Sequence, residues 1–440
     1  MPGNVLKAIR EAGVVGAGGA GFPTHVKFGN KAGCVVVNGA ECEPLLQVDR
    51  QLMVSRSKEL LTGLAALMDS VGAGRGIIAL KAKYTDAIEQ LSTAITDSRV
   101  EIFQLGDFYP AGDEQILIRE LSGRSLPEAG IPLNLDYIVT NVETVLNVTE
   151  AIEGQPVVDT WLTVSGSVAE PLTCRVPVGT PMEEVLHLAG VRQAPGLAVL
   201  EGGPMMGRLV SDWHTPVSKT TKGLIVLPAG HALIKARQAP PEQLLRRARS
   251  VCIQCERCSQ MCPRRLVGHG IRPHRIMRML AYAREDLEVA KSVLLCCGCG
   301  VCDYVCPMGL FPKRLNDLLK AELGKAGISY RGDGTEPQAL SHRDYRKIPG
   351  KRLVSGLGLK PYDRPAPVKE AAIRPQRVSI PLKQHLGEAC LPLVQVGNPV
   401  KQGQVIGEIP GKKLGARVHA SIDGIVVEQT LTHVVIEAVE

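Results

Sequence analysis

No stretch of this sequence approaches the roughly 18 consecutive apolar residues of a membrane-spanning helix. The opening segment, Met1 to Arg10, lacks the basic-then-apolar layout of a secretory signal. No direct membrane insertion is expected, and a cytoplasmic location is. A strong charge of either sign is missing too: 51 Lys and Arg face 44 Asp and Glu, a formal net charge of +7. So mild an excess gives no reason to invoke nucleic acid. Hydrophobic residues make up 45% of the 440, enough for several cores, and the length suggests about three domains at roughly 150 residues each. What is present in quantity is cysteine, thirteen in all. In a reducing compartment these are read first as metal chemistry rather than a disulfide framework.

Eight of the thirteen fall into two copies of one pattern, Cys252-x2-Cys255-x2-Cys258-x3-Cys262-Pro263 and Cys296-x2-Cys299-x2-Cys302-x3-Cys306-Pro307. Three closely spaced thiolates grip three irons of one cubane from a single loop, and the fourth, before proline, turns to the other cluster. This assigns Cys252, Cys255, Cys258 and Cys306 to one [4Fe-4S] cluster and Cys296, Cys299, Cys302 and Cys262 to the second. Zinc ribbons want paired CxxC units instead. Arginine is dense around the first loop (Arg246, Arg247, Arg249, Arg257, Arg264, Arg265); such cations raise the potential of an anionic cluster or simply coat a solvated surface. Cys34, Cys42, Cys174, Cys297 and Cys390 have no comparable spacing and read as structural.

Residues Val14 to Gly21 satisfy GxGxxG through Gly16, Gly18 and Gly21, the fingerprint of a dinucleotide loop. The context opposes that reading: Phe22-Pro23-Thr24 follows at once, and Gly29 and Gly33 interrupt the rest, leaving no room for the crossover helix. What survives is a run of backbone amides able to approach a phosphate, with Lys27 as a point charge.

Gly16 to Thr24 with Lys27, Asn38-Gly-Ala-Glu-Cys-Glu-Pro44, Tyr109-Pro-Ala-Gly-Asp-Glu114 and Asn141-Val-Glu-Thr144 resemble, in this order, the flavin domain of the NADH-oxidising subunit of respiratory complex I. The same series occurs in RnfC-type subunits of ion-pumping ferredoxin:NAD oxidoreductases. The resemblance implies that Gly16, Gly18, Gly19, Lys27, Asn38, Glu41, Tyr109, Gly112, Asn141 and Thr144 line FMN. It implies that Phe22, Glu43 and Glu114 face NADH, Glu114 being the residue assigned to catalysis. Ala17 stands where the complex I motif has arginine, so one phosphate contact is absent.

Along the chain, Cys34 to Asn38, Gly76 to Leu80 and Tyr137 to Thr140 read as strands and Arg56 to Ser70 as an amphipathic helix, a three-layer α/β arrangement for residues 1–155. Residues 156–235 alternate short apolar segments with turns around one helix, Pro181 to Ala189, and resemble the soluble-ligand-binding β-grasp domain (SLBB) that follows such flavin domains, including Gly202-Gly-Pro-Met-Met-Gly207. Residues 239–325 form the ferredoxin module, with helical propensity from Pro273 to Ser292. Residues 326–375, rich in Pro, Gly, Arg and Lys, read as linker or irregular wrapping. Residues 376–440 carry strand signals at Leu393 to Val396, Val405 to Glu408, Gly424 to Val427 and Val434 to Ile436, and resemble a barrel-sandwich domain of the lipoyl type. Lys412 and Lys413 sit in Pro-Gly-Lys-Lys, which is not the setting of a modified carrier lysine. The expected fold class is thus multidomain α/β and α+β.

A barrel-sandwich domain after the ferredoxin module, together with Val14 to Lys27 and Gln384-His-Leu-Gly-Glu388, resembles the cobalamin reductases of propanediol-utilisation microcompartments. That family implies electron flow from NADH through FMN and two clusters to oxidised corrinoid. It also implies partners: cobalamin or a cobalamin-handling enzyme such as an adenosyltransferase, and a microcompartment shell protein. Two other readings stay open, an RnfC-like input subunit of a membrane complex and a relay protein that is not itself an enzyme.

Overall fold

The computed structural model describes residues 2–283, 285–369 and 373–439. The first apolar runs become a parallel sheet. Its strands are β1 (Cys34–Gly39), β2 (Arg75–Lys81), β3 (Val100–Leu105) and β5 (Tyr137–Asn141), in the order β3-β2-β1-β5; β4 (Phe108–Tyr109) lies outside it. β1, β2 and β5 are near-continuous apolar runs because helices cover both faces, whereas the edge strand β3 exposes Glu101 and Gln104. Those helices are α1 (Pro2–Glu11), α2 (Thr24–Lys27), α3 (Val48–Ser55), α4 (Ser57–Val71), α5 (Thr85–Ala94), α6 (Glu114–Ser122) and α7 (Val142–Ile152). Val35 and Val37 point to one core, with Leu52, Leu64 and Leu146; Val36 points to the other, with Ile77, Ile116 and Val139. Leu60, Leu64 and Leu67 form the buried stripe of α4, each worth about 1.5–3 kcal/mol of apolar burial.

Next comes a five-stranded mixed sheet of β6 (Asp159–Gly166), β7 (Leu172–Pro177), β8 (Leu197–Glu201), β9 (Arg208–Val210) and β10 (Gly223–Pro228). The order is β7-β6-β10-β8-β9, with only β6 and β10 parallel. Helix α8 (Met182–Leu188) packs Val185 and Leu186 on Leu162, Val164, Leu224 and Val226. The cysteine loops sit among the helices Pro241–Val251, Pro273–Ala281, Leu287–Ser292 and Pro312–Lys325. The expected helix from Pro273 to Ser292 is therefore two helices, broken where Ala283 takes φ 49°; residue 284 lies outside the described residues.

The segment read as irregular wrapping is a structured strap. It carries a 3-10 turn (Asp344–Arg346), β11 (Ile348–Pro349) paired antiparallel with β4, and a helix, Gly350–Gly356. Leu353, Leu359 and Ala366 anchor it in the interior. Gln47 donates to the Arg364 carbonyl (2.8 Å) and accepts from the Ala366 amide (3.0 Å). Polar composition hid this because the strap is held by backbone bonds and a few isolated apolar anchors.

The last residues form two small sheets around Val378, Ile380, Ile406, Val426, Val434 and Ile436. Leu393 to Val396 is not a strand. Pairing occurs at Leu391–Pro392, and an Asn398 side chain accepting from the Gln395 amide (2.8 Å) turns the chain outward. This unit docks on the first domain: the Leu386 amide donates to Gly21 O (2.9 Å), and Lys219 donates to Gly13 O (2.8 Å) and Arg417 O (2.9 Å). Lys412 and Lys413 line a cleft of about 410 Å³ with Arg10, His25 and Arg417. Among the described residues no helix is long and apolar enough to cross a membrane.

Candidate flavin and iron-sulfur sites

The chain runs from β1 outward to β2 and β3, then returns to β5 on the other side of β1. The carboxyl ends of β1 and β5, where Asn38 and Asn141 are register partners, are therefore the topological switch point at which open α/β sheets bind ligands. The glycine loop lies over this point. The Ala17 amide donates to Thr144 Oγ1 (2.9 Å), and a Cβ on Gly18 would lie 3.5 Å from Asn141 Cβ. The loop closes on itself through Gly16 N to Phe22 O (2.9 Å) and Gly21 N to Gly16 O (3.1 Å). It leads into a helix of only four residues, so the Rossmann crossover is absent. Asn141 caps α7 by accepting from the Glu143 amide (3.0 Å) and donates to Asp49 (2.8 Å). Asn38 donates to Gly112 O (2.9 Å).

Gly16, Gly18, Asn38, Gly112, Asn141 and Thr144 are thus brought together. Gly19 faces open space, with no atom within 4 Å of a Cβ built on it. Ala17 is 1% exposed, so this position is packed inward. Lys27 reaches Glu114 across the mouth (2.9 Å), and Phe22 is half-buried in the loop closure. Two acids have other partners. Glu41 accepts from the Asp49 (2.9 Å) and Arg50 (3.2 Å) amides, capping α3; burial, then the negative charge of Asp49, raises it above the usual carboxylate range. Glu43 accepts from the Met205 (2.8 Å) and Met206 (3.0 Å) amides and from the Tyr109 hydroxyl (3.3 Å); burial pushes it up to about 7. The sequence reading missed Asp49 and the buried pair Glu143–Lys222. Glu143 also accepts from Thr160 Oγ1 and the Trp161 amide (3.0 Å each). Its signal was present, as an acid in the first turn of α7.

The donors fit a phosphate-bearing cofactor: loop amides, the N-terminus of an eleven-residue helix and one lysine. The cysteines fit cubanes. Cys258 lies within electrostatic reach of Cys306, Cys255 and Cys252. Cys302 lies within reach of Cys296, Cys262 and, most weakly, Cys258. That grouping supports crossed ligation. Among the described residues no three His, Cys, Asp or Glu converge as one metal ion requires; a cubane needs no such convergence, since each iron takes one thiolate. The two loops share a backbone, with Gln254 and Glu256 at φ 54° and 58° where the second has Gly298 and Gly300 at 69° and 74°.

Comparison with known proteins agrees. Residues 9–150 match the Nuo51 FMN-binding domain, 251–311 the 4Fe-4S dicluster domain and 358–438 the RnfC barrel sandwich hybrid domain. Two proteins named cobalamin reductase PduS are similar nearly end to end. That of Citrobacter freundii is 44% identical over 97% of this chain and 94% of its own length, and that of Salmonella typhimurium 42% over 96% and 94%. The chain belongs to the PduS family of cobalamin reductases. A component of the Na(+)-translocating ferredoxin:NAD(+) oxidoreductase complex of Acetobacterium woodii is 39% identical, over 59% of this chain and 57% of its own. An NAD+-reducing [NiFe]-hydrogenase chain (TM-score 0.51, 21% identity, 75% of this chain and 63% of that one) shares the fold. FMN and two 4Fe-4S clusters are the cofactors that these domains hold.

Proposed function

We propose that the protein is an NADH-dependent cobalamin reductase. NADH would give up a hydride at the flavin domain and become NAD+; the two electrons leave singly and the proton passes to solvent, so each NADH reduces two cob(II)alamin to cob(I)alamin. FMN supplies the exchange of a pair for single electrons, and the clusters accept them one at a time. The chain's own residues bind and orient. The Gly16 to Gly21 loop and the first turn of α7 offer amides to the FMN phosphate, Lys27 neutralises it, and Asn38 and Asn141 fix the switch point beneath. Phe22 and Glu114 flank the nicotinamide side.

The observation that carries this reading is one five-residue segment, Tyr109–Asp113. It is tied to Asn38 at the flavin site through Gly112 (2.9 Å) and to the Cys299 carbonyl of a cluster loop through the Tyr109 hydroxyl (2.7 Å). Further readings extend it. Residues 1–155, 156–235, 239–325, 326–375 and 376–440 are the domains and the strap, the second a β-grasp (SLBB) domain. The surroundings are a propanediol-utilisation microcompartment with an adenosyltransferase and a shell protein as neighbours. The test is anaerobic turnover of NADH by the purified chain with cob(III)alamin, cob(II)alamin, ferredoxin and viologen. Formation of cob(I)alamin is expected. Reduction of viologen or ferredoxin without cobalamin would replace this reading with an input subunit or a relay.

A further inference from the structure

The two cysteine loops share spacing and backbone but not surroundings. The second, Cys296 to Cys302, has no exposed residue, whereas Ile253, Gln254, Cys255, Glu256 and Arg257 of the first are all exposed, Ile253 by 61%. The flavin domain touches the second loop at one point and the segment after Cys262 at another. Tyr109 donates to the Cys299 carbonyl (2.7 Å), and Asp113 accepts from Arg264 (2.8 Å), two residues beyond Cys262, the thiol grouped with that loop. Tyr109, Met205, Cys299, Val301, Ile348 and Leu353 form one buried cluster around this contact. The glycines record the same asymmetry: a Cβ at Gly300 would lie 3.2 Å from the Met205 carbonyl. The first loop adopts the same left-handed conformation with Gln254 and Glu256, both exposed, the Glu256 carboxylate lying 3.3 Å from His274.

We infer that the loops have fixed, different jobs: the Cys296–Cys302 loop with Cys262 receives electrons from the flavin domain, and the exposed Cys252–Cys258 loop with Cys306 delivers them to the acceptor. This rests on the proposed flavin and cluster assignments. Tyr109 is the positioning residue that holds the receiving loop on the segment bonded to Asn38. The acceptor, the corrinoid of the proposed function, meets the exposed Ile253–Arg257 and takes one electron at a time.

The test is freeze-quench EPR of the reconstituted full chain after mixing with NADH, with flavin and iron counted separately. In Cys255→Ala the remaining cluster is reduced at the wild-type rate. In Cys299→Ala the remaining cluster is reduced roughly tenfold more slowly or not at all by NADH, yet fully by dithionite. The opposite pattern, or equal rates in both, overturns the order. Should Cys299→Ala fail to fold, Arg264→Gln serves, since it breaks the ion pair with Asp113 and lies outside the flavin site: NADH bleaches its flavin at the normal rate and iron content is unchanged, while electron arrival in the clusters slows several-fold. An unchanged arrival rate overturns the assignment. Loss of flavin in the unaltered chain would instead sink the underlying cofactor reading.

Discussion

In the cluster module the proposed ligands are eight sulfur atoms, and the backbone presents them. Two loops with different residues between the cysteines, Ile253-Gln254 and Cys297-Gly298 for instance, therefore reach the same conformation. In the flavin domain the backbone is itself the proposed ligand. There the glycine loop must fit three neighbours at once: Thr144 below, Asn141 beside, and the Gln384 carbonyl, 3.1 Å from where a Gly21 Cβ would sit. A site made of side-chain atoms fails outright when one is removed. A site made of amides and dipoles weakens by degrees.

The sharpest way to break this comparison is Cys262→Ser. Because Cys262 packs in one cluster with Cys296, iron should fall from about eight to about four per chain, with the loss in the cluster of Cys296, Cys299 and Cys302. Iron analysis and EPR read both outcomes, and damage confined to the Cys252 loop would show uncrossed ligation. Next in size is Lys27→Ala. Losing one charge-assisted contact, about 1.5–3 kcal/mol, should weaken FMN roughly 10- to 100-fold by fluorescence titration and leave iron intact. Joint loss of iron would mean that the two sites are not independent.

A smaller effect is expected from Gly300→Glu, which gives the second loop the residue of the first. The eight ligands remain, but the new Cβ meets the Met205 carbonyl in a left-handed conformation. The cost should be about 1–2 kcal/mol, read as a lower Tm with iron content unchanged. An equal Tm would mean that the contact with Met205 yields freely.

These differences explain what was legible. Cysteine spacing pointed to the dicluster domain at residues 251–311 because sulfur chemistry depends on a few residues close in sequence. The strands around Val35, Ile77 and Ile138 were readable because burial on both faces leaves an unbroken apolar run. The roles of Glu41 and Glu43 were not, although both lie in a readable motif. Their partners, the first turn of α3 and the Met205–Met206 turn, are brought by tertiary folding, and nothing in Asn38 to Pro44 states that one acid caps a helix while the other ties down a neighbouring domain. The strap at residues 344–368 was hidden likewise, its single anchors being spread among polar residues.

Glu43 offers the finest test, since it joins flavin domain, mixed sheet and, through Tyr109, the receiving cluster loop. Burial raises its carboxyl from the ordinary 4.5 to about 7, against the opposing pull of the Met205 amide and Tyr109 hydroxyl. Between those values the folded chain keeps a proton that the unfolded chain has released, so this group's contribution to stability falls as pH rises through the window. The full shift at 1.36 kcal/mol per unit is an upper bound; a change on the order of 1 kcal/mol, or about 2–4 °C in Tm, is expected. Glu43→Gln cannot titrate and keeps one carbonyl oxygen, an acceptor for only one of the Met205 and Met206 amides, a cost that does not vary with pH. The Tm difference, wild type minus variant, should therefore decline from pH 5 to pH 7.5 and level off above it. A difference that rises with pH, or stays flat, would mean that the carboxyl remains ionised throughout and that the junction holds as a charged anchor.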